Sequence, residues 1–170
     1  MKRFFLIVLL VLGMFIISCD LFENEDNENE ELSIEISPEE STIAVGEELI
    51  LEVELEDADD LFAMSVEIVF DAAVLTLPDN PLIIGEDWGN DYISTYVSEI
   101  DRINVAIGLI NNGDEDELEG EVELFQFKLV GVAEGQTMVN IHNLNLYDED
   151  GDLVEDFDEI EIENAVVIVE

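Results

Sequence analysis

From Leu32 onward, apolar residues recur at every second position. Ile34 and Ile36 alternate with polar neighbours, and Leu49, Leu51, Val53 and Leu55 alternate with Ile50, Glu52 and Glu54. Met64, Val66, Ile68 and Phe70 alternate with Ala63, Ser65, Glu67 and Val69. Ile103, Val105, Ile107 and Leu109 alternate with Asn104, Ala106 and Gly108. Phe125, Phe127 and Leu129 repeat the pattern, Val139 and Ile141 open another segment, and residues 165–169 form a short apolar run. A period of two sends alternate side chains to opposite faces of a strand, so these segments read as half-buried β-strands. Turn chemistry separates them at Ser37-Pro38, Val45-Gly46, residues 57–60, Leu77-Pro78, Asn112-Gly113, Glu134-Gly135 and Asp150-Gly151. No stretch after Cys19 carries the three-to-four repeat of an amphipathic helix. Short strands at this spacing predict one all-β domain over residues 32–170, a sandwich of two sheets.

The first residues follow a different pattern. Lys2 and Arg3 precede an unbroken apolar stretch of 14 residues, Phe4 to Ile17, and then Ser18 and Cys19. The stretch is short of the roughly 20 residues a spanning helix needs, and it fits the apolar region of a signal peptide. Ile16-Ile17-Ser18-Cys19 resembles a bacterial lipobox, in which the cysteine is lipidated and becomes the new N-terminus. The expected division is therefore a signal peptide at 1–18, a lipidated Cys19 with an acidic tether to residue 31, and the sandwich. An uncleaved signal anchor and a plain secretory signal are the alternatives. Residues 20–31, DLFENEDNENEE, carry a density of like charge that keeps a chain solvated and extended. The expected location is the bacterial cell envelope, with the domain exported and held by lipid alone.

Composition narrows the chemistry. There are 45 Asp and Glu against 4 Lys and Arg, a formal charge of −41. Phosphate contacts need Lys and Arg, so a nucleic-acid partner is excluded, and an acidic surface disfavours anionic lipid. The 48% of hydrophobic residues is too many for a disordered chain. One Cys and one His leave no disulfide framework and no multi-His metal centre. Any triad would need His142, and no pair of acids is singled out for acid–base work. The chain reads as a non-enzyme.

Several segments together resemble the cohesin family of bacterial extracellular domains. They are Ile36-Ser37-Pro38, then Thr42 to Glu47 (TIAVGE), then the alternating Leu49 to Leu55. Asp60 to Leu75 is similar to that family's third strand, which ends in an aromatic-Asp-Pro-x-Val-Leu corner. Here the corner is Phe70-Asp71-Ala72-Ala73-Val74-Leu75, with Ala72 where the proline usually stands. Gly120 to Lys128 resembles the seventh strand, and Leu144 to Asp152 the late Asp-rich turn.

The resemblance implies a jelly-roll sandwich of about nine strands, related to carbohydrate-binding modules. It also implies a flat face, built from the third, fifth, sixth and eighth strands, that holds dockerin modules and so anchors polysaccharide-degrading enzymes. Carried over, the third strand would contribute Ala63, Ser65, Glu67 and Val69, and the sixth Asn104, Ala106, Gly108 and Ile110. Nothing is carried over from the fifth strand, within Tyr92 to Ser98. The residues point the same way independently: if Met64, Val66, Ile68 and Phe70 are core, their alternates face outward and are unusually uncharged. Cover by a loop of the same chain would explain this equally well.

Two further groups have a functional and a bland reading. Asp148, Asp150 and Asp152 offer oxygen ligands suited to calcium, but Gly151 comes too early for an EF-hand, and a solvated hairpin is favoured. Asn112 to Asp116 fails the same pattern. Trp88 and Tyr92 form either a stacking platform for a sugar or a plug at the sandwich end, with the plug favoured. The expected function is thus a lipoprotein that binds a dockerin-type module. The alternatives are direct polysaccharide binding and a structural or adhesive envelope domain without an enzyme partner. The charge alone makes one prediction. The screening length shrinks from about 10 Å at 0.1 M salt to about 3 Å at 1 M, so the thermal midpoint should rise from low to molar salt. A flat midpoint would contradict it.

Overall fold

A computed structural model describes residues 32–110, 117–154 and 159–170. The expected signal peptide, Cys19 and tether lie outside the described residues, as does the Asn112–Asp116 segment. Residues 31–170 form one compact unit. Its strands are β1 (Ser33–Ser37), β2 (Glu40–Ile43), β3 (Glu48–Leu61), β4 (Ala63–Val69), β5 (Leu75–Thr76) and β6 (Leu82–Ile84), followed by β7 (Tyr92–Ser98), β8 (Arg102–Leu109), β9 (Leu118–Gly131), β10 (Gly135–Tyr147), β11 (Glu161–Glu163) and β12 (Ala165–Val169). A 3-10 turn, Glu86–Trp88, stands between β6 and β7. The strands make two sheets. One runs β11-β1-β3-β9-β5, with β6 also on β9, and the other runs β2-β12-β10-β4-β8-β7. The domain is the all-β sandwich that the alternation predicts. There are more strand segments than nine because β5, β6 and β11, of two or three residues each, are too short to show a period.

The predicted core faces are the observed ones. Ile34, Ile36, Leu51, Val53 and Leu55 of the first sheet are buried against Met64, Val66, Ile68, Ile103, Val105 and Ile107 of the second, in one continuous cluster. Removing this apolar surface from water is the main term favouring the folded state. β3 and β9, each 14 residues, form the spine of the first sheet. Leu61 ends that sheet and Ala63 begins the other, so the chain changes layer across one residue. Phe62 bridges the step: its N–H donates to the Tyr147 carbonyl at 2.8 Å, and its carbonyl accepts from Leu109 N–H at 3.0 Å.

A bulge in β9 explains the short 3-10 turn. β3 pairs Val53 with Phe125 and Glu54 with Glu123, leaving Leu124 as the extra residue. The backbone groups there are satisfied from the side. Trp88 Nε1 donates to the Leu124 carbonyl at 2.8 Å, and Glu123 N–H donates to Asp87 Oδ2 at 2.7 Å. Only glycine permits the approach, because a Cβ on Gly85 would sit 1.7 Å from the Glu123 carbonyl oxygen.

The outer faces of the two sheets differ in charge. On the first, Glu35 of β1 lies opposite Glu54 of β3, and Glu54 lies opposite Glu123 of β9, a row of like charges across three strands. Glu52 and Glu121 stand close by. Partial burial, then Glu52 and Glu35, push the Glu54 carboxyl up to about 7. Glu123 is raised as well, by burial and by Glu52 and Asp87. A raised carboxyl binds protons more tightly in the folded state. Between the ordinary value of 4.5 and about 7, the Glu54 contribution therefore falls as pH rises. Thermal stability should increase on titration from pH 8 to about 5.5. Glu54→Gln should raise the midpoint at pH 8 and leave it nearly unchanged at pH 5; no gain at pH 8 would contradict this reading.

Candidate functional site

Among the described residues, the outer face of the second sheet carries almost no acid. β4 and β8 lie side by side with Ala63 opposite Gly108, Ser65 opposite Ala106, Glu67 opposite Asn104 and Val69 opposite Arg102. The structure thus brings the predicted third- and sixth-strand residues together as cross-strand pairs. Ala63, Ser65, Val69, Asn104, Ala106 and Gly108 are partly exposed and Glu67 is nearly buried. Ile110 lies just past the end of β8, exposed, with its N–H donating to the Asp91 carbonyl.

Two strands flank this pair and widen the face. β7 places Ile93 opposite Gly108, Thr95 opposite Ala106 and Val97 opposite Asn104. β10 places Tyr147 opposite Ala63 and Asn145 opposite Ser65. Ala63, Ser65, Ile93, Ala106, Gly108 and Tyr147 line a shallow, almost wholly apolar depression of about 380 Å³. A second one of about 310 Å³ adjoins it, where Glu67, Asn104, Asn143 and Asn145 stand beside apolar residues such as Val97 and Ala106. Ile93, Thr95, Val97, Asn143, Asn145 and Tyr147 are the face residues that sequence reasoning missed. The signal in β7 was present as seven residues without a charge, YISTYVS. Asn143 gave none, because it reaches the face through a bulge. β10 shifts register between His142 and Asn145, and Asn143 there takes φ 48°.

The bulge has an electrostatic consequence. Asn143 Nδ2 donates to Glu67 Oε2, while the Arg102 guanidinium holds Glu67 Oε1 and also pairs with Asp101 at 3.0 Å. Hydrogen bonds from Arg102 and then Asn143 hold the Glu67 carboxyl below its ordinary value, and those from Arg102 do the same for Asp101. The one acid in the middle of the face is therefore ionised, neutralised and fixed in place. Asn145 Nδ2 donates to the Asn143 carbonyl at 3.1 Å, which ties the bulge to the same network.

This four-strand surface, ordered β10-β4-β8-β7, can be set beside known structures. A non-cellulosomal cohesin from the archaeon Archaeoglobus fulgidus superposes with a TM-score of 0.66 at 19% identity, covering 82% of this chain and 91% of that one. A type II cohesin domain from the cellulosome of Acetivibrio cellulolyticus gives 0.69 at 15% identity, covering 81% and 95%. The type II cohesin of a cohesin–X–dockerin complex from the same organism gives 0.66 at 15%, covering 82% and 100%. The domain has the cohesin fold. No protein-family model matches the sequence, and no curated protein does.

Within this cohesin-like domain the other candidates fare differently. Trp88 is 1% exposed and its indole N–H is committed to Leu124, so it offers no face to a sugar. The glycan reading is corrected at Trp88: the residue is a plug over the β9 bulge. Tyr92, partly exposed at the start of β7, packs against the core edge beside it. Asp148, Asp150 and Asp152 do not converge on a common point. Asp148 Oδ1 instead accepts the Asp152 N–H at 2.8 Å, and Asp148 N–H donates to the Asp152 carbonyl, closing a hairpin turn. The calcium reading of these three is corrected accordingly. Among the described residues, the acids whose oxygens gather within 4.8 Å are the exposed Asp59, Asp60 and Glu119. His142 is exposed at the bulge.

The plug makes a stability prediction. Trp88→Ala removes a buried aromatic and the shorter of two hydrogen bonds to the Leu124 carbonyl, the other coming from Gly85 N–H, and should cost about 3–5 kcal/mol in chemical denaturation. A loss below about 1 kcal/mol would show that the indole does not support the bulge.

Proposed function

We propose that this chain is a non-catalytic, lipid-anchored docking protein whose β10-β4-β8-β7 face binds a dockerin-type module linked to polysaccharide degradation. The observation that carries the reading is the segregation of charge. A chain with 45 acids keeps the middle of one broad sheet face neutral, and holds the one carboxylate there in a fixed network. A surface with apolar and hydrogen-bonding groups but little free charge is suited to a protein partner. Several structures that share this fold are cohesin–dockerin complexes. The acidic remainder of the domain attracts basic groups, so a partner with basic residues around an uncharged contact patch fits best. Lipidation at Cys19 and the acidic segment after it would hold the domain outside the cell and away from the membrane.

The test is affinity capture on residues 31–170 with calcium in molar salt, from the secreted fraction of the source organism. The expected ligand is a protein with paired Asp-rich calcium loops. A bound polysaccharide without such a protein would overturn the reading in favour of direct glycan binding. Ala106→Arg and Ala63→Asp should weaken capture at least about 30-fold, because an unpaired charge buried in an interface costs ~2 kcal/mol or more. Both should leave the thermal midpoint in place. Gly108 is a poorer position for this test, since a Cβ there would lie 3.2 Å from the Ala63 Cβ. Unchanged affinity in both variants would reject the face.

A further inference from the structure

Strand β7 ends its sheet, and among the described residues it pairs only with β8. Edge strands in soluble domains are usually short, charged, bulged or interrupted by proline, which blocks pairing with another chain. β7 has none of these devices. Its seven residues, YISTYVS, contain no charge, no proline and no glycine, and they are rich in β-branched and aromatic types. Ile93 is 67% exposed and Val97 58%.

The hydrogen-bond phase of this edge is fixed. Glu99 N–H donates to the Arg102 carbonyl, and the Asp91 carbonyl accepts from Ile110 N–H, so the odd-numbered residues of β7 direct their backbone groups toward β8. By alternation, Tyr92, Ser94, Tyr96 and Ser98 direct theirs outward. An antiparallel strand added here must therefore present its own free groups to these four. A second copy of β7 does so about a two-fold axis at Thr95. Tyr92 then pairs with Ser98 of the second copy, and Ser94 with Tyr96 of the second copy, as hydrogen-bonded pairs. Ile93 faces Val97 of the second copy, and Thr95 faces Thr95 of the second copy, as the closer non-hydrogen-bonded pairs. Thr–Thr neighbours are among the favourable cross-strand combinations, and the Ile93–Val97 contact takes exposed apolar surface out of water. Shifting the register by one residue would mismatch every free backbone group, and shifting it by two would leave part of the strand unpaired.

We infer that the domain self-associates through β7 into a symmetric antiparallel dimer, joining its second sheet to that of a second copy. The ends of the strand set the conditions. This register puts Asp91 opposite Glu99 of the second copy at both ends, and two strongly acidic domains approach each other. Pairing therefore requires screening, and salt is the switch. In the dimer, Ile93, Thr95 and Val97 keep their side chains on the outer face, so two proposed docking faces become one continuous surface. The dimer itself does not rest on the docking function, and its test needs no partner.

Residues 31–170 would be followed by sedimentation velocity from 0.05 to 2 M NaCl. The expected result is monomer at low salt and dimer at high salt, with the dissociation constant tightening at least about tenfold. Ser94→Pro removes an outward N–H that has no backbone partner among the described residues. It should leave the thermal midpoint intact and abolish the dimer. Thr95→Cys should form an intermolecular disulfide under oxidation at high salt, because non-hydrogen-bonded antiparallel pairs lie about 4.5 Å apart at Cα. Val97→Cys should not, since it faces Ile93 of the second copy. Monomer at every salt concentration would overturn the inference. So would a dimer that survives Ser94→Pro with its fold intact, or equal cross-linking at both cysteine positions.

Discussion

With 45 acidic side chains against four basic ones, a two-sheet sandwich of this chain has to choose where like charges will face each other. The choice made here is asymmetric. Glu35, Glu54 and Glu123 stand in one row on the outside of the first sheet, close enough for Glu54 to be held near neutrality by partial burial and by its neighbours. The cost of that crowding falls on the sheet built around the longest pairing in the domain, β3 with β9, where a large shared core offsets it. The second sheet is thereby left able to keep its outer face neutral. Ala63, Ser65, Ala106 and Gly108 sit in the middle of it, with small side chains and no charge.

Among the irregularities in strand pairing, the bulges in β9 at Leu124 and in β10 at Asn143 adapt this frame. The one in β9 exposes backbone groups that Trp88, Asp87 and Gly85 satisfy, so a stretch with the composition of a binding loop is spent on closing the sandwich. The one in β10 turns Asn143 onto Glu67, where it works with Arg102 to neutralise the acid in the middle of the face. Arg102 is one of four basic residues in the chain, and its position there concentrates scarce positive charge on the surface that has least tolerance for a free carboxylate.

Much of the architecture was legible in the sequence because one-sided burial forces a period of two. The alternations around Met64 and Ile103 gave both the core set and its outward alternates, and the paired strands then set those alternates side by side. What was not legible has physical reasons. β7 lies at an edge, and its alternation does not separate apolar from polar residues, so Ile93 and Val97 did not stand out as face residues. Asn143 reaches the site through a backbone excursion that no periodicity encodes. Trp88 among acids has the composition of a sugar platform, and only the location of the β9 bulge shows what its indole serves. The aspartates at 148, 150 and 152 have ligand spacing, yet the turn uses the first of them for its own backbone.

The claim most in need of a direct test is that the neutral sheet face, and not the acidic one, contacts the partner. Hydroxyl-radical footprinting of the domain, free and bound to its captured partner, reads this from side chains that report on each face. Ile93, Val97 and Tyr147 mark the neutral sheet, and Ile50 and Ile83, exposed on the first sheet, mark the acidic one. The account predicts protection of the first three on binding, with Ile50 and Ile83 oxidised as before. Protection of Ile50 and Ile83, with Ile93, Val97 and Tyr147 unchanged, would contradict it.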